Sequence, residues 1–550
     1  MELKRLMAAA SLIFAVAVPS AVTANVALMP LRDLRPGMVG VGKTVIKGDR
    51  VENFDVEILG VQGSEITGET IFVKLSGDLI NKTGGVAQGM SGSPVYVDGR
   101  LVGAVAFGRA FNDPHYCFLT PIHQMLTLVD EVHYPSDWLP KGTALSAGGF
   151  TEEGLLHLKE RLGKYDAVPG GAGDVATGDF VPGGSVGVSL VHGDMTLGAL
   201  GTVTWTDGDG NILAFGHPFL KRGNSNFFLN KVWILGTVPN MMSSYKVGQI
   251  GQVAGVVSQD RAAGVAGKNW DEPLSIPLVV TVGDFDRGNY KTMSVNLVED
   301  PLLLPELVDS VVYNCLTMSA DRVGGGTAKL SFSLDAVDKK GVKYEVRRDN
   351  MYFAISRLLK NLDGEMLDVL DNLAWNKFDN LDIRQIRVDV KLSEDLRVAE
   401  VKGVSVPRRD YRPGDVVPVI VKMKPYRGEE FSRELDFKIP EDFKDKKITI
   451  CVRGGSSLLW LERLLKKHQD EQMPLATKES KKVLKDYVDY LKTRDKNNEL
   501  VVDIGGKNLS TMVKKNEAGL QGLLQGTPAK VKKAYDFVVM GEVELSFKVK

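Results

Sequence analysis

The stretch GMSGSPVYVDGRLVGAVAFG, residues 89–108, decides how this chain is read. It places a serine between glycines, then a proline, then two apolar runs joined by Asp98-Gly99. Asp-Gly between alternating apolar runs is the signature of a two-residue primed turn, so residues 94–107 are expected to form a β-hairpin. Just upstream, RVENFDVEILGV (50–61) and ETIFVKL (69–75) alternate and are rich in β-branched residues. Several short strands this closely spaced point to a small barrel or sandwich. The turn before the hairpin has a chemical reading too. A serine hydroxyl becomes a nucleophile when a tight turn exposes it, backbone N–H groups face the developing oxyanion, and a base takes its proton. Glycines on both sides of Ser91 let a substrate backbone approach, and the amides of Gly89 and Ser91 are the candidate oxyanion donors. The plainer reading is a hairpin entered through a small-residue turn.

The chain has 550 residues, enough for several domains. Its 68 basic and 69 acidic residues leave a formal charge of −1, no field for concentrating nucleic acid or an anionic membrane. Lys4 and Arg5 precede an apolar run from Leu6 to Val18, and Val22 and Ala24 suit the −3 and −1 positions of a cleavage site. That pattern is a secretory signal over residues 1–24, with a retained anchor as the alternative, and no later stretch is long and apolar enough to span a bilayer. The three cysteines, Cys117, Cys315 and Cys451, are widely separated and odd in number. They imply neither a disulfide framework nor a zinc site.

Beyond the hairpin, TEEGLLHLKERLGK (151–164) reads as a helix with Thr151 as N-cap, Leu155, Leu158 and Leu162 on one face, and Gly163 as its stop. A glycine-rich linker leads into a second β region, a helical patch covers about Tyr352–Leu373, and alternation resumes from Ile383 to Arg453 as a sandwich-like module. Residues 457–495 form a lysine- and glutamate-rich helical segment with Val483, Leu484, Tyr487 and Leu491 on one face, and two strand signals close the chain.

GMSGSP with its hairpin resembles the serine turn of chymotrypsin-like proteases, and more closely that of the SpoIVB peptidase family. The resemblance extends through RPGMVGVGKTVIKGDRVENFDVEILG (35–60) and NKTGGVAQGMSGSPVYVDGRLVGAV (81–105). It implies a chymotrypsin-like double β-barrel with Ser91 as nucleophile. No histidine precedes residue 115, so the usual His-then-Ser order is unavailable. GALGTVTWTDGDGNILAFGHPF (198–219) places His217 where a strand gives way to a loop, and this segment resembles the histidine-bearing half of the same family, as do 181–191 and 247–267. The two halves therefore stand in exchanged order, which a triad formed across an inter-barrel cleft tolerates. Where the family carries its acid, this chain has Ser76, so Asp78 is the candidate, displaced by about two residues. A Ser–His dyad is the alternative, and Asp55, Asp207 and Asp209 are fallbacks. His115 and His123 are expected at the rim and at a helix entry.

The expected organisation is a signal peptide (1–24), a serine-bearing half (25–145), a helix and linker (146–175), a histidine-bearing half (176–345), a helical connector (346–382), a sandwich-like module (383–455) and a mixed α/β terminal region (456–550). The resemblance spans about residues 30–290. The chain lacks the PDZ module of the sporulation protease and adds the C-terminal modules instead. The resemblance implies an exported serine endopeptidase acting on proteins or peptides in the periplasm or cell envelope, with no metal or organic cofactor. The other reading is an inactive protease-like scaffold whose C-terminal modules bind an envelope partner.

Overall fold

A computed structural model describes residues 26–64, 68–108, 113–129, 144–162, 167–172, 178–240, 243–320, 322–362, 364–374, 381–408, 410–456, 484–504 and 530–550. The expected signal segment and most of the lysine-rich segment lie outside them.

Alternation builds the first barrel. Its strands are β1 (Val39–Val45), β2 (Val51–Ser64), β3 (Gly68–Ser76), β4 (Pro94–Val97), β5 (Arg100–Phe107) and β6 (Tyr116–Pro121), closed in the order β1-β2-β3-β6-β5-β4. Strand β2 turns Phe54, Val56 and Ile58 inward and β3 turns Ile71, Val73 and Leu75, the two-residue period of a strand with one buried face. Between β4 and β5, Asp98 and Gly99 both take positive φ, 50° and 72°, as a type I′ hairpin turn requires. Short helices α1 (Asp78–Thr83) and α2 (Ile122–Leu126) flank the barrel.

A second barrel follows. After β7 (Leu145–Gly148), helix α3 (Glu152–Leu162) and β8 (Ala167–Ala172) come β9 (Ser185–Gly193), β10 (Thr196–Thr206), β11 (Asn211–Ala214), β12 (Gly223–Val238), β13 (Tyr245–Arg261) and β14 (Gly264–Asn269). Strand β9 pairs with β10, β10 with β11, β11 with β14, β14 with β13, β13 with β12, and β12 again with β9. That circuit closes six strands without a free edge. The fold is therefore mainly β, and its two six-stranded rings are consistent with the expected double barrel.

The second barrel is embedded in a thirteen-stranded sheet. From β9 the sheet continues through β15 (Ser275–Asp284), β16 (Asn289–Val298), β17 (Gly326–Asp338), β18 (Lys343–Ala354) and β19 (Leu381–Ser393). Helix α3 starts as expected, because Thr151 Oγ1 accepts the Gly154 N–H at 2.9 Å. Leu158 and Leu162 are buried, and Leu155 packs against the same core. Helix α4 (Leu304–Ala320) lies over β15 and β16 and is buried on nearly every side, Cys315 included. Strand β18 occupies the start of the expected helical patch, a 3-10 turn follows at Leu358–Asn361, and α-helix begins at Gly364.

A sandwich of two sheets completes the chain. One has β20 (Val398–Ser405), β22 (Val416–Pro425), β23 (Phe431–Lys438) and β27 (Val538–Met540). The other has β21 (Asp410–Tyr411), β24 (Lys447–Gly454), β25 (Glu499–Ile504), β26 (Lys530–Ala534) and β28 (Glu542–Val549). Val417, Val419, Val421, Phe437, Ile450 and Val502 fill the space between them. All three cysteines are buried and unpaired. Among the described residues, no helix is long and apolar enough to cross a membrane.

Candidate active site

The serine turn lies against the second barrel and is bonded to it. Strand β10 supplies three bonds: Thr202 N–H donates to Ser91 O at 2.8 Å, Thr202 Oγ1 to Gly89 O at 2.9 Å, and Thr204 Oγ1 to Gly92 O at 2.7 Å. Strand β13 adds another, Lys246 N–H to Gln88 O at 2.9 Å. Inside its own barrel the turn is closed by Met90 N–H to Ala87 O, Gly92 N–H to Val105 O and Ser93 N–H to Met90 O.

At Gly92 the two barrels meet backbone to backbone. Its φ is +93°, and a Cβ there would stand 2.0 Å from Thr202 O and 2.5 Å from Phe215 N. Gly92→Ala is therefore expected to force the barrels apart and to destabilise the fold by about 3 kcal/mol, from overpacking plus a strained backbone. Denaturant unfolding measures this, and a loss below about 1 kcal/mol contradicts the tight junction.

Two features of this turn bear on chemistry. Among the described residues, the amides of Gly89 and Ser91 donate to no acceptor, while their neighbours Met90, Gly92 and Ser93 all do. The Ser91 hydroxyl is half-buried, and its one contact is Ala106 O at 3.5 Å, the outer limit of a hydrogen bond. It is thus free to turn toward another partner.

His217 follows β11 in a backbone bent by two left-handed residues, Phe215 (φ 69°) and Gly216 (φ 67°). A buried phenylalanine in that region is strained, the kind of cost that clusters at functional sites. Its ring fills the space that a side chain at Gly201 would take. Gly216 presses on β5, since a Cβ there would lie 3.0 Å from Val105 O and 3.3 Å from Ala104 Cβ. Thr120 Oγ1 donates to Gly216 O. The Ser91 hydroxyl and the Gly216–His217 step therefore border the same Ala104–Ala106 stretch of β5. Among the described hydrogen bonds, none joins the two side chains directly.

The histidine is buried, with 6% of its surface exposed. Its Nδ1 lies 2.8 Å from Pro218 O. A carbonyl can only accept, so Nδ1 carries the proton and the lone pair of the neutral ring sits on Nε2. Burial lowers the pKa of the ring below its ordinary value, outweighing the Pro218 bond, which raises it. The imidazole is therefore neutral at pH 7 and presents Nε2 as a base.

The loop after His217 is held by a residue that sequence reading left without a role. Asp260 on β13 is fully buried, and its carboxylate accepts Phe219 N–H at 2.7 Å, Leu220 N–H at 2.8 Å and Arg222 N–H at 3.1 Å. Burial raises the pKa of this carboxyl while the backbone bonds lower it. A hint was present in SQDRAAG (258–264), an acid at the end of an apolar strand on its buried face.

The other candidates fall as follows. Asp78 opens α1, and no described hydrogen bond links it to His217. Asp207 accepts the N–H groups of Asp209 and Asn211, organising its own turn, and Asp209 is exposed in that turn. Asp55 is exposed on β2. His115 pairs with Asp113 at 2.7 Å, and His123 on α2 is about half exposed, 3.5 Å from Glu69. His157 lies 2.9 Å from buried Asp309 and stacks on Tyr313, and His192 lies on β9 near the Phe228 ring. Among the described residues no cluster of His, Cys, Asp or Glu has the makings of a metal site.

Residues 22–126 match the family described as SpoIVB peptidase S55. No curated protein and no solved structure matches the chain. The matched segment contains the first barrel and the Ser91 turn, and it supports a serine peptidase with protein substrates. Over this segment the chain is similar to the SpoIVB peptidase family.

Proposed function

We propose that the chain is an exported serine endopeptidase of the periplasm or cell envelope that cleaves protein substrates through an acyl-enzyme on Ser91. One observation carries the reading. The Ser91 turn holds two amides without acceptors and a loosely held hydroxyl, and it borders the same stretch of β5 as an imidazole whose basic nitrogen is Nε2.

In this mechanism Ser91 Oγ bonds to the peptide carbonyl carbon as its proton passes to His217 Nε2. The carbonyl oxygen becomes an oxyanion facing the Gly89 and Ser91 amides. The C–N bond then breaks, and Nε2 returns the proton to the leaving amine. Water then bonds to the acyl carbon as its proton passes to Nε2, the C–Oγ bond breaks, and Nε2 returns the proton to Ser91 Oγ, freeing the acid. Throughout, Pro218 O does what a carboxylate does in a triad: it fixes the ring and the tautomer. That arrangement supports a Ser–His dyad over a triad completed by Asp78.

A fluorophosphonate probe is expected to label the purified mature chain once, at Ser91, and Ser91→Ala should abolish both labelling and peptide turnover. Stoichiometric labelling elsewhere with Ser91 untouched refutes the proposal. A second reading, an inactive scaffold whose sandwich binds an envelope protein, draws support from the hydroxyl facing Ala106 O rather than the ring. Absence of labelling at every pH from 6 to 9 selects it.

A further inference from the structure

Lys246 on β13 lies beneath the serine turn, 4% exposed. Its aliphatic stem runs flat against Gly89, so close that a Cβ at residue 89 would meet Cβ, Cγ and Cδ of the lysine at 3.0–3.1 Å. Its amine reaches across the inter-barrel junction and donates to Thr44 Oγ1 on β1 at 3.0 Å and to Thr202 Oγ1 on β10 at 3.3 Å. Thr202 Oγ1 in turn spends its own proton on Gly89 O.

Counting donors identifies the form of the amine that fits. A neutral amine has two N–H bonds, and the site offers two hydroxyl acceptors. An ammonium has three and carries a charge, and a buried charge without a partner is strongly disfavoured. The surroundings supply none. On β1 the neighbouring Lys43 holds its amine over the Tyr96 ring at 5.1 Å. On β2 Glu52 is Thr44's partner in register, on β12 Thr237 is Lys246's, and the turn contributes Gln88. Among the described residues, none of these forms an ion pair with Lys246. Desolvation accordingly brings the lysine pKa from 10.5 down to about 7.

We propose that Lys246 is a positioning residue for Ser91: as a neutral amine it orients Thr202, and through Thr202 it fixes Gly89 O and the amide geometry of the serine turn. Protonation adds a third N–H and an unpaired charge, which breaks that arrangement and turns the site off. This rests on the serine-peptidase reading above. Activity is then governed by Lys246 rather than by the base itself, because burial lowers the pKa of the His217 ring below its ordinary value.

The test follows the rate of fluorophosphonate labelling of Ser91 against pH in the full chain. The unmodified protein is expected to gain reactivity about tenfold per pH unit below a midpoint near 7. Lys246→Met keeps the stem and removes the amine, so its midpoint should fall below 6.5. Lys246→Arg, charged at every pH, should be at least tenfold slower than the unmodified protein at pH 9. Because either variant can fail to fold, lysine ε-13C NMR of the unmodified chain supplies an independent measurement. One lysine should titrate near 7. If all lysines titrate near 10, or if the midpoint is the same in Lys246→Met, the role of Lys246 is overturned. If Ser91 never labels, the peptidase reading itself has failed.

Discussion

Replacing His217 by alanine is expected to slow acylation of Ser91 by about 10⁴-fold, while the chain stays folded. The ring's tautomer is fixed by Nδ1–H to Pro218 O, which leaves Nε2 as its basic nitrogen. Without the ring the hydroxyl has, among the described hydrogen bonds, only the weak contact to Ala106 O, and a carbonyl is no base for its proton. The loss should fall on the chemical step, leaving substrate binding nearly unchanged. His217→Gln, close in volume, should be equally slow, which separates loss of the base from loss of packing. Added imidazole should restore part of the rate to the alanine variant. Retention of more than a tenth of wild-type labelling means that another group takes the proton.

The second large effect is expected at Asp260. Its carboxylate satisfies three backbone N–H groups in a fully buried place. Asp260→Ala leaves all three without an acceptor, each costing about 1–3 kcal/mol, so a total loss of about 3–5 kcal/mol is expected, since the penalties overlap. Asp260→Asn keeps one oxygen and should lose about half as much. Both substitutions loosen residues 218–222, and with them Pro218 O, so the histidine tautomer is no longer enforced. Chemical denaturation gives the stability, and the labelling rate of the folded fraction gives the activity. A stable Asp260→Ala variant with wild-type labelling contradicts the role given to this carboxylate.

The residues around Ser91 were legible because local rules and tertiary packing agree there. Asp98-Gly99 demands positive φ and takes it, and β2 and β3 alternate along one buried face. The second barrel could be foreseen only as a run of strands, because its closure depends on pairings far apart in sequence, such as β9 with β12. Helix α4 escaped notice because it is buried nearly all round, so its apolar residues show no one-sided period. The long β17–β18 ladder absorbed only the start of what read as a helical patch, Tyr352 to Ala354, where cross-strand pairing overrides local spacing.

The site shows the same division. Ser91 and His217 stand out through their glycine neighbours, but Asp260 and Lys246 work through main-chain bonds and burial. A lone lysine in a strand reads as solvent-facing. The available signal was parity: Lys246 shares its face with Ser244, Gly248 and Ile250, all buried. No such signal distinguishes Pro218 O, which meets His217 Nδ1, since any residue supplies a carbonyl.

The order of the two barrels along the chain has a consequence during synthesis. The first ring is complete at Pro121, whereas the strand that closes the second ends at Asn269. A growing chain therefore completes the barrel that carries the Ser91 turn before either β10, which braces that turn, or His217 has been made. The loop thus waits for its braces from Thr202 and Thr204 until translation has passed β10, so a barrel finished early reaches its final setting late.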